Sequence, residues 1–453
     1  MKNKIKKLFP LFFILVFLVG GGLTCGTPDQ PPATVTLNYW SAWDDEQATK
    51  ILVRAYQASR PYVVIKYKKL RPEEYEQALL EGWADAEGPD IFSIQNTWVG
   101  KYQSRLLPIP PQISIYSMIM SKSLGKDELT VTKKSIVPIT PDRLSKDFVD
   151  VVASDMVKNG QIYGLPLYVD NLALFYNKRL LANAGIVAPP TSWEEFKDDV
   201  KKLILQDNDG KLIQSGVALG TAGNITRSFD ILSMLMIQNG TAMINQNGAA
   251  FNQPLIGDRT YLPGVSALRF YTDFSNPTKE VYSWNDTMPD SLEAFASGKI
   301  AFFFGYSYQI PIIRARAPKM DFDVAYLPQI PQNNKATYAN YWAETVWKRT
   351  KYPNEAWDFL QFVTTNKDLV KEYLSKSVHP TALKSLLAEQ AQSSVDMEVF
   401  VNQNVYAKSW YHGRDAVAAE NIFKDMINQT ILGELTPQQI TNNAVDRINQ
   451  ILK

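Results

Sequence analysis

The groups best able to do covalent or metal chemistry are scarce in this chain of 453 residues. There is one cysteine, Cys25, and there are two histidines, His379 and His412. One cysteine cannot close an intrachain disulfide, and Cys and His together fall short of the about four ligands of a structural zinc site. A Cys–His nucleophilic pair has the atoms it needs, but Cys25 stands in a segment with another reading. The stretch DNDG (207–210) begins like a calcium loop; the glutamate that should close such a loop is absent, so it reads as a turn. His379 precedes Pro380 in a helix connection and reads as structural. The 46 acidic residues allow chance carboxylate pairs of the acid/base kind, but no compact catalytic motif surrounds one. No cofactor or metal is implied. Aromatic rings, by contrast, are abundant, with 10 Trp and 22 Tyr. Core packing absorbs many of them; the rest are candidates for gripping something flat.

Charge narrows the partners. Lys and Arg number 47 against 46 Asp and Glu, so there is no basic excess to hold nucleic acid. The amino terminus is different. Lys2, Lys4, Lys6 and Lys7 precede an apolar run, Leu8 to Val19, that is shorter than the ~20 residues of a spanning helix. Small residues and then Cys25 follow. Residues 1–24 have the form of a secretory signal, and resemble a lipoprotein signal with Cys25 as the lipid-modified residue. Gly22-Leu23-Thr24 departs from the usual residues before such a cysteine, which keeps an uncleaved anchor as the alternative. The proline-rich stretch 25–34 reads as an extended tether. The chain is then expected to be an extracytoplasmic body held at the cell membrane.

From Val35 strand-like and helix-like segments alternate. VTLNYW (35–40), VVIKYKKL (63–70) and DIFSI (90–94) read as strands. The helical stripe before Pro61 and PEEYEQALLEGWA, with Pro72 at its start, separate them. This β-α-β-α-β order suits a sheet with crossover helices. Later strands are expected at LALFYNK (172–178), GVALG (216–220), IAFFFG (300–305) and DFDVAYLP (321–328). SWEEFKDDVKKLIL (192–205) reads as a helix opened by a Ser/Thr cap, and SFDILSMLMIQNG as an apolar helix ended near Gly240. The chain beyond Pro353 is mainly helical. Segment 111–150 has no clear place. No Pro/Gly/Ser-rich linker divides the body, so two lobes would be joined by ordered crossing strands that form a hinge.

Several stretches in this order resemble the extracellular solute-binding proteins of ABC importers, specifically the sugar-binding family that includes the maltose-binding proteins. They are GPDIFSI with QNTW (88–98), GQIYGLPLYVDNLALFYNKRLLANAGI (160–186) with PPTSWEEF (189–196), AFASGKIAFFFG (294–305) and YPNEAWDFLQFVT (352–364). The resemblance implies an α/β, two-lobed periplasmic-binding-protein fold (type II-like), lobes joined by crossing hinge segments and ligand held between them. It implies a first lobe over 35–168 and 333–390, and a second over 169–332 and 391–453. It also implies an ABC permease as partner, and the chain is expected to be a monomer.

Ligands of open α/β sheets sit outside the carboxyl ends of strands, which selects candidate residues. GYSY closes IAFFFG, placing Tyr306 and Tyr308 at a cleft rim; capping the core is the rival role. Trp40, Trp43 and Asp44 follow the first strand, where packing competes. Gln95, Asn96, Thr97 and Trp98 follow DIFSI, where helix capping also explains Asn96 or Thr97. Asp170 and Asn171 lie at a lobe crossing; the resemblance implies a carboxylate here for sugar hydroxyls, and a hinge salt bridge is the alternative for Asp170. Asn224 and Arg227 follow GVALG. NYWAE (340–344) puts Trp342 after a crossing, and SWYHGRD (409–415) gathers Trp410, Tyr411 and Arg414 into a platform or an inter-helix cluster.

These residues suit a carbohydrate, whose C–H face an aromatic plate covers while polar groups bond its hydroxyl edge. The expected function is capture of a carbohydrate by lobe closure, without catalysis. A non-sugar solute in the same fold (a peptide, a polyamine or a phosphorylated polyol) is the first alternative. A surface glycoside hydrolase is the second.

Overall fold

The computed structural model describes residues 33–123, 126–331 and 335–452. The signal-like segment, Cys25 and most of the tether lie outside the described residues. Two five-stranded sheets carry the architecture. The first has the order Val63–Lys69, Val35–Ser41, Ile91–Gln95, Trp342–Val346, Gly164–Leu165. Its first three strands are parallel, as the alternating pattern requires, and Trp342–Val346 runs antiparallel to Ile91–Gln95. The helices between them start on local signals. Asp45 accepts from the Ala48 amide at 2.8 Å and caps Glu46–Ser59, whose Ala48, Leu52, Val53 and Tyr56 face the core. Pro72 opens Pro72–Ala84, where its missing N–H costs nothing.

The second sheet has the order Leu205–Gln206, Leu212–Val217, Ile300–Gly305, Ala173–Asn177, Phe322–Ala325. Ile300–Gly305 lies in its centre, and every residue of it is buried. Each phenylalanine buried there contributes about 1.5–3 kcal/mol. Gly305 is forced by packing, because a Cβ would come within 2.6 Å of both Gln309 Oε1 and the Phe303 ring. Ser192 and Glu195 form a reciprocal capping box at the start of Trp193–Leu203. The strand expected at 216–220 lies earlier, over Leu212–Val217. Pairing with Ile300–Gly305 ends at Val217, and the chain then leaves the sheet toward Gly220, whose φ of +114° suits only glycine.

Two buried cores share no residue. One holds residues from Val35 to Val169, from Ala339 to Leu386, and Ala407. The other holds residues from Leu172 to Tyr338 and from Met397 to Ile448. The chain passes between them on a third, small sheet of Ala407–Lys408, Thr337–Asn340 and Asp170–Asn171. Side-chain amides brace this crossing. Asn404 Nδ2 donates to the Val169 carbonyl at 2.9 Å, and Asn171 Nδ2 donates to Asn404 Oδ1 at 2.8 Å. Segment 111–150 supplies an antiparallel hairpin, Ile113–Ser123 with Lys126–Ile136, and two short helices. Ile113 and Ile115 root the hairpin in the first core. Among the described residues no helix is long and apolar enough to cross a membrane.

Candidate functional site

Between the two cores lies a cavity of about 380 Å³. Trp43, Gln95, Trp98 and Trp342 line it from the first lobe, Arg227 and Tyr308 from the second, and Asp170 from the crossing sheet. Each stands just past a strand, at a strand end or at a helix start, where the backbone turns and the side chain can leave the core. Trp342 is the centre of a ring cluster, 5.3 Å from Trp98 and 6.3 Å from Trp43 between centroids. Trp43 also meets Tyr308 across the cleft at 6.1 Å. Tyr306 lies behind Tyr308, stacked at 6.0 Å, and is itself buried. Its hydroxyl donates to Asp230 at 2.6 Å, so it backs the wall and does not face the cavity.

Pro72, Tyr168, Asn340 and His379 complete the lining, and the sequence reading selected none of them. Asn340 opens the NYWAE stretch and Tyr168 lies two residues before Asp170, so both had a positional signal. His379 had none. Its ring lies 3.9 Å from that of Tyr168, with planes 9° apart.

The remaining selected residues sit elsewhere, each for a visible reason. Trp40 packs against Gly82, with the Lys68 ammonium 4.6 Å from its ring. Asp44 is buried and accepts from the Tyr39 hydroxyl at 3.2 Å; burial, with Glu344 as its buried acidic neighbour, pushes both carboxyls upward. Asn96 donates to Asp155 at 2.9 Å and Thr97 donates to Gln95 at 3.4 Å, and neither caps the short turn Asn96–Trp98. Asn171 is spent on the hinge. Asn224 donates to the carbonyls of Asn285 and Met288, both at 2.9 Å, and pins a loop. Trp410 is packed in the second core, stacked on Phe229, with Nε1 donating to Ser233 Oγ at 3.0 Å. Tyr411 is buried against the backbone of Asp415 and Ile451. Arg414 borders a separate groove that shares no residue with the cleft. The inter-helix reading of SWYHGRD is the one the packing follows.

The ionic groups of the cleft are held by partners within the protein. Arg227, at a left-handed φ of +65°, donates to Asp230 at 2.7 and 2.9 Å and to Glu420 at 3.3 Å. Asp230 also accepts from Asn340 Nδ2 at 3.2 Å, and Asn340 accepts from Gln95 at 3.1 Å. One chain of hydrogen bonds therefore runs from the first sheet, through the crossing strand, to the second lobe. Asp170 accepts from Ser307 N at 3.2 Å, Ser307 Oγ at 2.7 Å and its neighbour Asn171 N at 2.9 Å. Burial outweighs these three donors and pushes its carboxyl up to about 7.

Two lobes on crossing strands, with a ring-lined cavity between them, are the arrangement of a protein that encloses a solute. Residues 42–369 match the family described as bacterial extracellular solute-binding protein, and the chain belongs to that family. A multiple sugar-binding protein of Streptococcus mutans is 26% identical over 239 residues, 52% of this chain and 54% of that one. An sn-glycerol-3-phosphate-binding periplasmic protein of Salmonella typhimurium is 21% identical over 96% of both chains. In solved structures, the fold is similar to a cyclo/maltodextrin-binding protein complexed with maltotetraose, at a TM-score of 0.71 and 18% identity over 93% of this chain and 98% of that one. The protein is a solute-binding protein of the kind that serves ABC importers.

Proposed function

We propose that the protein captures a carbohydrate in the inter-lobe cleft and presents it, in a closed form, to a membrane permease. The observation that carries this is the opposition of rings across the cleft, with the ionic groups already held by partners within the protein. Trp43, Trp98 and Trp342 on one lobe oppose Tyr308 on the other, and the one arginine of the lining is held by two carboxylates. A phosphorylated polyol would need that guanidinium free, and a polyamine would need exposed carboxylates, whereas Asp230 and Asp170 are both buried against partners. The volume of about 380 Å³ stands near the lower end of the usual about 300–1,000 Å³ for small-molecule pockets, which favours a short carbohydrate. A solute touching both lobes favours the closed arrangement by its difference in affinity for the two forms.

The direct test is a thermal-shift panel of mono- and oligosaccharides, with glycerol 3-phosphate, a polyamine and a short peptide beside them. A bound solute raises the melting point by mass action. A shift with a carbohydrate and none with the others is the expected outcome; a shift confined to the non-sugar solutes would refute the reading. Anchoring through a lipid on Cys25, the lobe boundaries near 168, 332 and 390, and a monomeric state belong to the same proposal. Fatty-acid labelling that survives Cys25→Ser would overturn the anchor.

A further inference from the structure

The polar side chains lining the cleft are mostly committed within the protein. Asp170 is held by Ser307 and Asn171, Arg227 by Asp230 and Glu420, and Gln95 and Asn340 by each other. His379 differs. Its Nδ1 is buried without a partner, and among the described residues no other residue of the lining has such an atom. Buried polar atoms without partners are rare in native folds and ask for an explanation. The ring is nevertheless firmly placed. It lies flat on Tyr168 at 3.9 Å, and its own carbonyl accepts from Gln390 at 2.8 Å. The preceding carbonyl, that of Val378, lies 3.0 Å from Ser307 Oγ and shares its proton with Asp170, so the loop that carries the imidazole sits against the second lobe.

A neutral imidazole has one N–H and one lone pair. An orphaned N–H is less tolerated in a protein interior than an orphaned acceptor. Nδ1 therefore keeps the lone pair, and the proton sits on Nε2 at the far edge of the ring. Among the described residues no hydrogen bond engages Nε2, and it is not among the buried orphan atoms. We propose that His379 is a specificity-determining residue of the cleft, its Nε2–H donating to an oxygen of the solute while Tyr168 fixes the plane of the ring. This rests on the carbohydrate reading above, and it adds a polar anchor at the edge of the rings. The surroundings keep the ring neutral. Burial pushes it down to about 4, against the pull of Asp45 at the start of the neighbouring helix. Of the other charged groups lining the cleft, Asp170 is locked in the hinge and Arg227 is paired on the opposite lobe.

Because the chain has two histidines, 15N NMR of the imidazoles reads His379 directly, with His412 as internal control. The probe is the carbohydrate giving the largest shift in the thermal panel. At neutral pH the His379 signals should show a proton on Nε2 and none on Nδ1. Saturating probe should move them and leave those of His412 in place. His379→Phe keeps a ring on Tyr168 without the donor and should weaken binding about ten-fold or more, while His379→Gln retains a donor and should recover most of it. Unmoved His379 signals in a saturated complex, or native affinity in the Phe variant, would overturn the inference and leave the carbohydrate reading standing. If no carbohydrate binds the native chain, both fall together.

Discussion

Trp43 is where the binding reading can be tested with least damage to the fold. It is 46% exposed, and its ring neighbours are tilted against it, Tyr308 at 6.1 Å and Trp342 at 6.3 Å. Replacing Trp43 by Ala removes roughly half of a tryptophan's burial, about 100 Å². At about 25 cal/mol per Å² that loss costs at most about 2–3 kcal/mol of stability, and less against a realistic unfolded chain. Binding should suffer separately. A sugar ring laid on the indole hides three C–H groups or so, each worth about 0.8 kcal/mol, which totals about 2 kcal/mol or roughly thirty-fold in affinity. Trp43 also opposes Tyr308 across the cleft, so its removal weakens the closed form. Isothermal titration with the carbohydrate found by the thermal panel measures the affinity, and a urea melt of the same sample measures the fold. The expected result is a roughly thirty-fold loss for Trp43→Ala and a smaller one for Trp43→Phe, which keeps a ring. An affinity within about two-fold of native for a folded Trp43→Ala protein would refute the claim that this ring grips the solute.

Trp410→Ala should behave in the opposite way, destabilising by about 3–5 kcal/mol through the cavity it leaves beside Phe229 while the folded fraction binds normally; a stable variant with lost affinity would place Trp410 in the cleft after all. Asp170 predicts a pH effect. Its carboxyl is raised from 3.8 to about 7 in the fold, so its contribution to stability is present below about pH 4 and is lost as pH rises toward 7. His379, held down at about 4, acts in the opposite sense over part of that range, so the useful quantity is a difference between variants. In Asp170→Asn the new amide can still accept from the Ser307 and Asn171 amides, while Ser307 Oγ turns its proton to Val378. Relative to the native chain this variant should gain stability between pH 5 and 8, by up to about 3 kcal/mol in urea melts. A difference that stays flat or shrinks with rising pH would contradict the burial argument.

The architecture was largely legible because it is written in short-range signals. Pro72, the Ser192–Glu195 box and the run Ile300–Gly305 each announce an element within a few residues. The hairpin of segment 111–150 was not legible, because rows such as ISIYSMIMSKS and KDELTVTKKSI mix polar and apolar residues on both faces. A hairpin rooted by Ile113 and Ile115 needs only its base to be apolar. The end of the strand at Val217 was misplaced because the chain leaves its neighbour there, opposite Phe302, while Ile300–Gly305 itself runs on to Gly305 beside Ala173–Asn177.

By itself the sequence determined the class of fold and, by count, excluded an intrachain disulfide and a Cys/His zinc cluster. It also pointed to the ends of strands as the place for binding. Only the tertiary structure decided which rings face the cleft. Trp342 and Trp410 look alike in sequence, each beside a tyrosine in a short stretch that also carries polar and charged residues. One meets Trp43 and Trp98 at an open cavity, and the other finds Phe229 and Ser233, 177 residues from it along the chain, and is sealed in a core. The same holds for charge. Arg227 is a cation in the sequence and stays one, but it becomes a paired strut only when Asp230 and the distant Glu420 close on it. Burial and pairing are set by what lies across space, and a one-dimensional pattern records only what lies next along the chain.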